Sequence, residues 1–197
     1  MSFEKEKQDC LSRIDKSNKG SVDERMLSII TLINASPCYY TTSSCSGRIL
    51  LVRRPASQKK CDVSFLFASH EEVTYEEIKR QFRHPITDDL WFRQESFILH
   101  VCCRELKDAG LLLKLCSAAG LKHAGIISVE RKIVVELISS EQFDTIIARE
   151  GRLFVSDEHL ALLVAEANRK LRENWARLEK MHALMVRQLR SQACASD

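Results

Sequence analysis

Glycine and proline are scarce in this chain, which has only six and three of them in 197 residues. No G-x-G-x-x-G follows a strand-like run, and no P-loop pattern occurs, so a Rossmann-type dinucleotide site and a Walker-type phosphate loop are both set aside. H-E-x-x-H and G-x-S-x-G are also missing, which removes the common zinc-protease and hydrolase signatures. No run of about 18 apolar residues exists to span a bilayer. The opening MSFEKEKQDC lacks the apolar centre of a signal peptide. There is no C-x-x-C either, although the chain holds eight cysteines. A chain of this size removes roughly 70% of its extended surface from water on folding and needs no disulfide framework. The cysteines are therefore read as free thiols of a reducing, cytoplasmic compartment, with no metal site. Cys102 and Cys103 are adjacent on a strand-like run, point to opposite faces and cannot chelate one ion together.

What is present is a mildly basic globular composition with a net charge of +3. The basic residues gather at Arg48, Arg53, Arg54, Lys59 and Lys60, again at Lys79, Arg80 and Arg83, and along the C-terminal region. Such clusters suit either a solvated face or a nucleic-acid partner.

Periodicity orders the chain. Lys5 to Ile14 reads as a short helix. Ser21 and Glu24 have capping-box spacing before Met26, Ile29, Ile30 and Ile33 at helical intervals. Tyr39 to Thr42 and Arg48 to Arg53 read as strands around a Ser/Cys/Gly loop, and Val63 to Ser69 as another strand. Thr74 caps a helix to Phe82, and Trp91 to Arg104 contains a long strand. Asp108 to Ala119 reads as a helix stopped by Gly120, and Gly125 to Val129 with Lys132 to Ile138 as a hairpin. Phe143 to Ile147 and Leu153 to Val155 add short strands. Ser156 then caps a very long amphipathic helix whose stripe runs from Leu160 to Leu189. The expected fold is α/β of the α+β type, not Rossmann. It has a mixed or antiparallel sheet with a repeated strand-helix-strand unit, and N-terminal helices packed on the long C-terminal helix. We expect one domain over 1–197, with 1–36 and 156–190 as a helical layer and 39–155 as the sheet-containing core.

Two constellations carry chemistry. In FILHVCCRE, Phe97, Leu99, Val101 and Cys103 share the core face of a strand. Ile98, His100, Cys102 and Arg104 share the other face, where they suit either a cleft wall or a half-buried histidine with a paired arginine. In TTSSCSGR, the hydroxyls of Ser43, Ser44 and Ser46, the permissive Gly47 and the fork of Arg48 suit an anion-holding turn. The same residues also suit a plain polar turn. His70 closes the strand after Ser69.

YYTTSSCSGRILL, FILHVCCREL, DAGLLLKLCSAAGLKHAGI and GRLFVSDEHLALLVAEANRKLRENWARLEK, in that order, resemble the wybutosine-synthesising tRNA methyltransferases of the N-4 methylating kind. The likeness runs from about Cys10 to Lys180. It implies a non-Rossmann enzyme that uses S-adenosylmethionine. Its implied substrate is the N-4 nitrogen of the tricyclic guanosine, 7-aminocarboxypropyl-demethylwyosine, next to the anticodon of phenylalanine tRNA. The positions that match by resemblance include Ser43, Ser44, Ser46, Gly47, Arg48, His70, His100 and Arg104. By their chemistry the serine turn and Arg48 would bind a carboxylate or phosphate, of the cofactor's methionine end or of the base's arm, His100 or His70 would be the base, and Arg104 would orient the substrate. Tyr39, Arg53, Arg54 and Lys122 serve the anticodon arm, with Trp91 as a further stacking surface, while Asn168 and Asn174 are structural. The chain departs from the family pattern at Ile138, where an arginine is usual before Ser139-Ser140. It departs again at Lys122 and Ala124, and by lacking prolines at Ser96 and near Ile146. The competing reading is a tRNA-binding or scaffold protein of the same fold with weakened chemistry.

Overall fold

The structure is a computed structural model that describes residues 2–12, 22–54, 63–83 and 86–194. In chain order the elements are α1 (Phe3–Leu11), α2 (Glu24–Ala35), β1 (Tyr39–Cys45), β2 (Arg48–Arg54), β3 (Ser64–Ser69), α3 (Tyr75–Arg80) with a single 3₁₀ turn (Gln81–Arg83), β4 (Asp89–Glu95) and β5 (Ile98–Cys103). There follow α4 (Leu106–Ala119), β6 (Gly125–Ser128), β7 (Ile133–Ile138), β8 (Phe143–Arg149), β9 (Arg152–Leu153) and α5 (Asp157–Cys194). They fall into two compact units, the first of Met1–Ser46, Phe97–Ser140 and Trp175–Asp197, the second of Gly47–Ser96 and Glu141–Asn174. Every strand pair is antiparallel. No helix among the described residues is long and apolar enough to cross a membrane.

The first unit holds a four-stranded sheet in the order β1-β5-β7-β6. Period-two alternation buries Leu99 and Val101 of β5 with Val135 and Leu137 of β7 on one face. Met26, Ile29 and Ile33 of α2, Leu112 and Cys116 of α4, and Leu178, Met181 and Met185 of α5 close the same core. The N-terminal helix α2 thus packs with the long helix, as its stripe requires. Gly120 ends α4 in the left-handed region at φ 90°, and the Leu121 amide donates back to the Cys116 carbonyl at 2.8 Å. α2 begins at Glu24 with Asp23 at the N-cap, and the carboxylate of Asp23 makes no cap bond. The capping box expected from Ser21 falls on a residue outside those described.

The second unit holds a five-stranded sheet in the order β3-β2-β4-β8-β9. Its buried residues include Ile49, Leu51, Leu90, Phe92, Ile147 and Ile78, with Leu160, Val164, Ala167 and Leu171 from the first half of α5. The cap of α3 is as the sequence indicates, with Thr74 and Glu77 forming a reciprocal capping box. The side chain of Asn168 brackets Val73, accepting from its amide at 2.9 Å and donating to its carbonyl at 2.8 Å. Gly151 sits at φ 79°, where a Cβ would lie 2.5 Å from the Ile86 carbonyl oxygen, so backbone takes the space of a side chain.

The run read as containing a long strand, Trp91 to Arg104, holds parts of two strands, β4 and β5, that belong to different sheets. The burial rhythm shows where. Leu90, Phe92, Gln94 and Ser96 are buried, and the phase then slips to Phe97, Leu99 and Val101.

Candidate functional site

The segment Ser43 to Cys45, read as loop, is strand. β1 pairs with β5 along its whole length, but an extra residue enters between Thr41 and Ser43. Thr41 faces Val101, and without the bulge Thr42 would face His100. The bulge instead places Ser43 opposite His100. β7 lies on the other side of β5 in unbroken register, with Glu136 opposite His100, and Gly125 of β6 is opposite Glu136. The result is one straight row across four strands, Ser43, His100, Glu136 and Gly125. The Ser43 hydroxyl lies 2.9 Å from His100 Nδ1, and His100 Nε2 lies 2.8 Å from a Glu136 carboxylate oxygen. The His100 and Glu136 side chains are each 26% exposed, and Ser43 is exposed, so the row is held by protein on one side and reachable on the other.

The other members of the serine turn are engaged differently. Ser46 is buried, and both its amide and its hydroxyl donate to one carboxylate oxygen of Asp23, at 2.9 and 3.0 Å. Its donors face an acid rather than an anionic ligand. Gly47 takes φ 90°. In the second unit the Gly47 carbonyl lies 3.0 Å from His70 Nδ1. A carbonyl only accepts, so that nitrogen carries the proton and His70 braces the turn.

The second unit concentrates arginines on one face of its sheet. Arg48 Nε donates to Glu95 at 2.6 Å, and Arg93 bonds both Glu95 and Asp144. Arg54 approaches Asp144 at 3.8 Å. Arg48 lies over the Phe65 ring and Arg54 over the Trp91 ring, at 5.2 and 4.7 Å. The Asp144 bond holds the Arg93 guanidinium above its ordinary range. Arg53 is paired with Asp88.

Three expected site residues stand apart from the His100 row, all in the first unit. Tyr39 is buried in the core, where its hydroxyl donates to the Asp108 carbonyl at 3.0 Å and burial raises its pKa, so its ring has no open face for a base. Arg104 follows the far end of β5. It forks onto the Pro37 carbonyl at 2.7 and 3.1 Å, pairs with Glu4, and covers the Phe3 ring, which ties α1 to the strand end. Lys122 is exposed in the turn after α4. Burial pushes the thiols of Cys103 and Cys116 up to about 12, so neither is a thiolate at neutral pH. Next to Ile138 in the first unit, Arg177 of α5 donates to the hydroxyls of Ser139 and Ser140 at 3.2 and 3.0 Å. Asn174 is buried and donates to the Glu141 carbonyl.

Sequence reasoning missed Glu136, Asp23 and Glu95. Alternation in IVVELI does place Glu136 opposite the core face of its strand, but which residue of β5 it meets depends on a register that no local pattern announces.

The pattern of the family described as Methyltransferase TYW3 matches residues 5–187. A Thermococcus sibiricus protein named tRNA(Phe) 7-((3-amino-3-carboxypropyl)-4-demethylwyosine(37)-N(4))-methyltransferase is 38% identical over 181 residues, covering 91% of this chain and 92% of its own. The tRNA wybutosine-synthesizing protein 3 homolog of Xenopus laevis is 33% identical over 195 residues, covering 97% of this chain and 77% of its own. Among solved structures, PH1069 from Pyrococcus horikoshii superposes with a TM-score of 0.85 at 33% identity, covering 93% of this chain and 96% of that one.

Proposed function

We propose, for a chain that belongs to the methyltransferase TYW3 family, that it methylates the N-4 nitrogen of 7-aminocarboxypropyl-demethylwyosine in phenylalanine tRNA, with S-adenosylmethionine as donor. The observation that carries this is the near full-length likeness to a relative whose name states that reaction. The coarser statement, a tRNA-modifying methyltransferase of the wybutosine pathway, follows from the family itself.

The chemistry asks little of the protein beyond alignment and one proton. Transfer is an in-line displacement at a sulfonium methyl, whose thioether leaves without protonation. Orientation supplies most of the acceleration, with effective molarities of about 10⁵ M or more. The attacking nitrogen sheds its proton, and we assign His100 to receive it. Its Nδ1 lies 2.9 Å from the exposed Ser43 hydroxyl, through which a proton can pass. General-base assistance of this kind contributes about 10²–10⁴-fold.

The amino-acid end of S-adenosylmethionine carries a carboxylate beside an ammonium. The Arg48 and Glu95 side chains, 31% and 29% exposed and bonded to each other, fit such a zwitterion, guanidinium to carboxylate and carboxylate to ammonium. When bound, the cofactor supplies the methyl group on its sulfonium sulfur. Arg53 and Arg54, with Trp91 beneath Arg54, supply cations and a ring suited to the anticodon arm.

Incubation of the purified protein with methyl-labelled S-adenosylmethionine and the precursor phenylalanine tRNA tests the reading. One methyl group per tRNA, on the tricyclic base, is expected. Tight tRNA binding without methyl transfer and without calorimetric binding of the cofactor would instead establish a scaffold of this fold.

A further inference from the structure

We infer that Glu136 is the positioning residue that fixes the tautomer of His100 and makes Nδ1, behind the Ser43 hydroxyl, its basic nitrogen; this rests on the methyltransferase reading for its place in a reaction. An ionised carboxylate can only accept hydrogen bonds. At 2.8 Å from Glu136, His100 Nε2 must therefore carry a proton, because two lone pairs at that distance repel. A neutral imidazole has one N–H, so the free lone pair falls on Nδ1, 2.9 Å from Ser43 Oγ. A hydroxyl donates as readily as it accepts and adapts to that lone pair.

The placement is built into backbone rather than loops. Three adjacent strands set the row, and the bulge in β1 sets its end residue. The row is open where a proton must enter, since Ser43 is exposed. Gly125, opposite Glu136 in the register, carries no side chain, and nothing lies within 4 Å of where a Cβ would stand. The arrangement shares the logic of an acid, a histidine and a hydroxyl in series, with the two ring nitrogens exchanged relative to the usual triad.

The proton step balances without another reagent. As the substrate nitrogen bonds to the methyl carbon, its N–H proton passes to Ser43 Oγ. The Ser43 hydroxyl proton passes to His100 Nδ1, and the imidazolium formed stays bonded to the Glu136 carboxylate. Serine is unchanged at the end, and the histidine returns its proton to water.

Nitrogen-15 NMR of the histidine rings reads the tautomer directly in the full chain, with His100 assigned by its loss in His100→Gln. The wild type is expected to carry its neutral-state proton on Nε2. Glu136→Ala should let the Nδ1–H form appear and lower kcat for methyl transfer about 10- to 100-fold at nearly constant KM. Glu136→Gln, whose amide oxygen still accepts from Nε2, should keep the tautomer and recover most of the rate. Ser43→Ala should leave the tautomer unchanged. A wild-type ring protonated on Nδ1, or a Glu136→Ala ring identical to wild type, would overturn the inference. If the wild type transfers no methyl group, the functional reading fails, and the ring measurement alone decides the role of Glu136.

Discussion

The two sheets of this protein treat their polar residues in opposite ways. In the second unit, Arg48, Glu95, Arg93, Asp144 and Arg54 form a lattice in which each charge meets an opposite one. In the first, Ser43, His100 and Glu136 form a line with a single carboxylate at one end and an exposed hydroxyl at the other. A closed lattice of ion pairs holds shape and offers exchangeable partners to a charged ligand. An open line with one acceptor end and one donor end moves a proton. The proposed function accordingly places cofactor binding on the lattice and proton transfer on the line.

Breaking the line should have the largest effect. His100→Ala is expected to slow methyl transfer by about 10²–10⁴-fold while leaving the thermal midpoint near wild type, because the ring is partly exposed and off the core face. Rapid-quench assays beside calorimetric unfolding check both halves. Breaking the lattice at Arg48, the proposed cofactor contact, should weaken affinity rather than rate. Arg48→Ala is expected to raise the S-adenosylmethionine dissociation constant about tenfold, equivalent to about 1.4 kcal/mol. Arg48→Lys should recover little of it, since an ammonium does not reproduce the fork. Titration calorimetry measures this, and full rescue by lysine would contradict the pairing. Breaking the lattice at its centre should cost stability. Arg93→Ala removes bonds to Glu95 and Asp144 and is expected to destabilise by about 1 kcal/mol, read as a lower denaturant midpoint.

The fold was largely legible because its cores obey simple periods. The odd residues of β5 and the 178, 181, 185 stripe of α5 are where alternation and helical spacing put them. Two local readings failed for identifiable reasons. Serine and cysteine in Ser43 to Cys45 suggest a loop, but pairing with β5 overrides that composition. The run through Ser96 and Phe97 looks like one strand because apolar residues continue without a break, and only the slip in phase reveals the change of sheet. The geometry of the candidate site was half legible. His100 and Ser43 stand out by type, and register brings them together. Glu136, Asp23 and Glu95 are ordinary surface acids in the sequence and gain meaning only from the strands and turns opposite them. Arg104 and Tyr39 show the converse, since residue type suggested a ligand contact and packing gave them the work of holding α1 and the core.

A further expected effect concerns pH. Burial raises Cys103 and Cys116 from 9.0 to about 12, and Tyr40 from 10.0 to about 12. Between those values the unfolded chain releases protons that the folded chain retains. The contribution of these three groups to stability is therefore fully present below about pH 9 and is lost as pH rises towards 12. Urea midpoints at pH 8 and pH 10.5 should differ in that direction, and Tyr40→Phe should flatten the slope.

The central claim is that the His100 line serves methyl transfer to tRNA. Its most direct test is the single-turnover rate with precursor phenylalanine tRNA and saturating S-adenosylmethionine, wild type against His100→Asn. The account predicts a methylated tricyclic base with the wild type and a rate at least about a hundredfold lower with the variant, both proteins binding tRNA equally. Equal rates would contradict it.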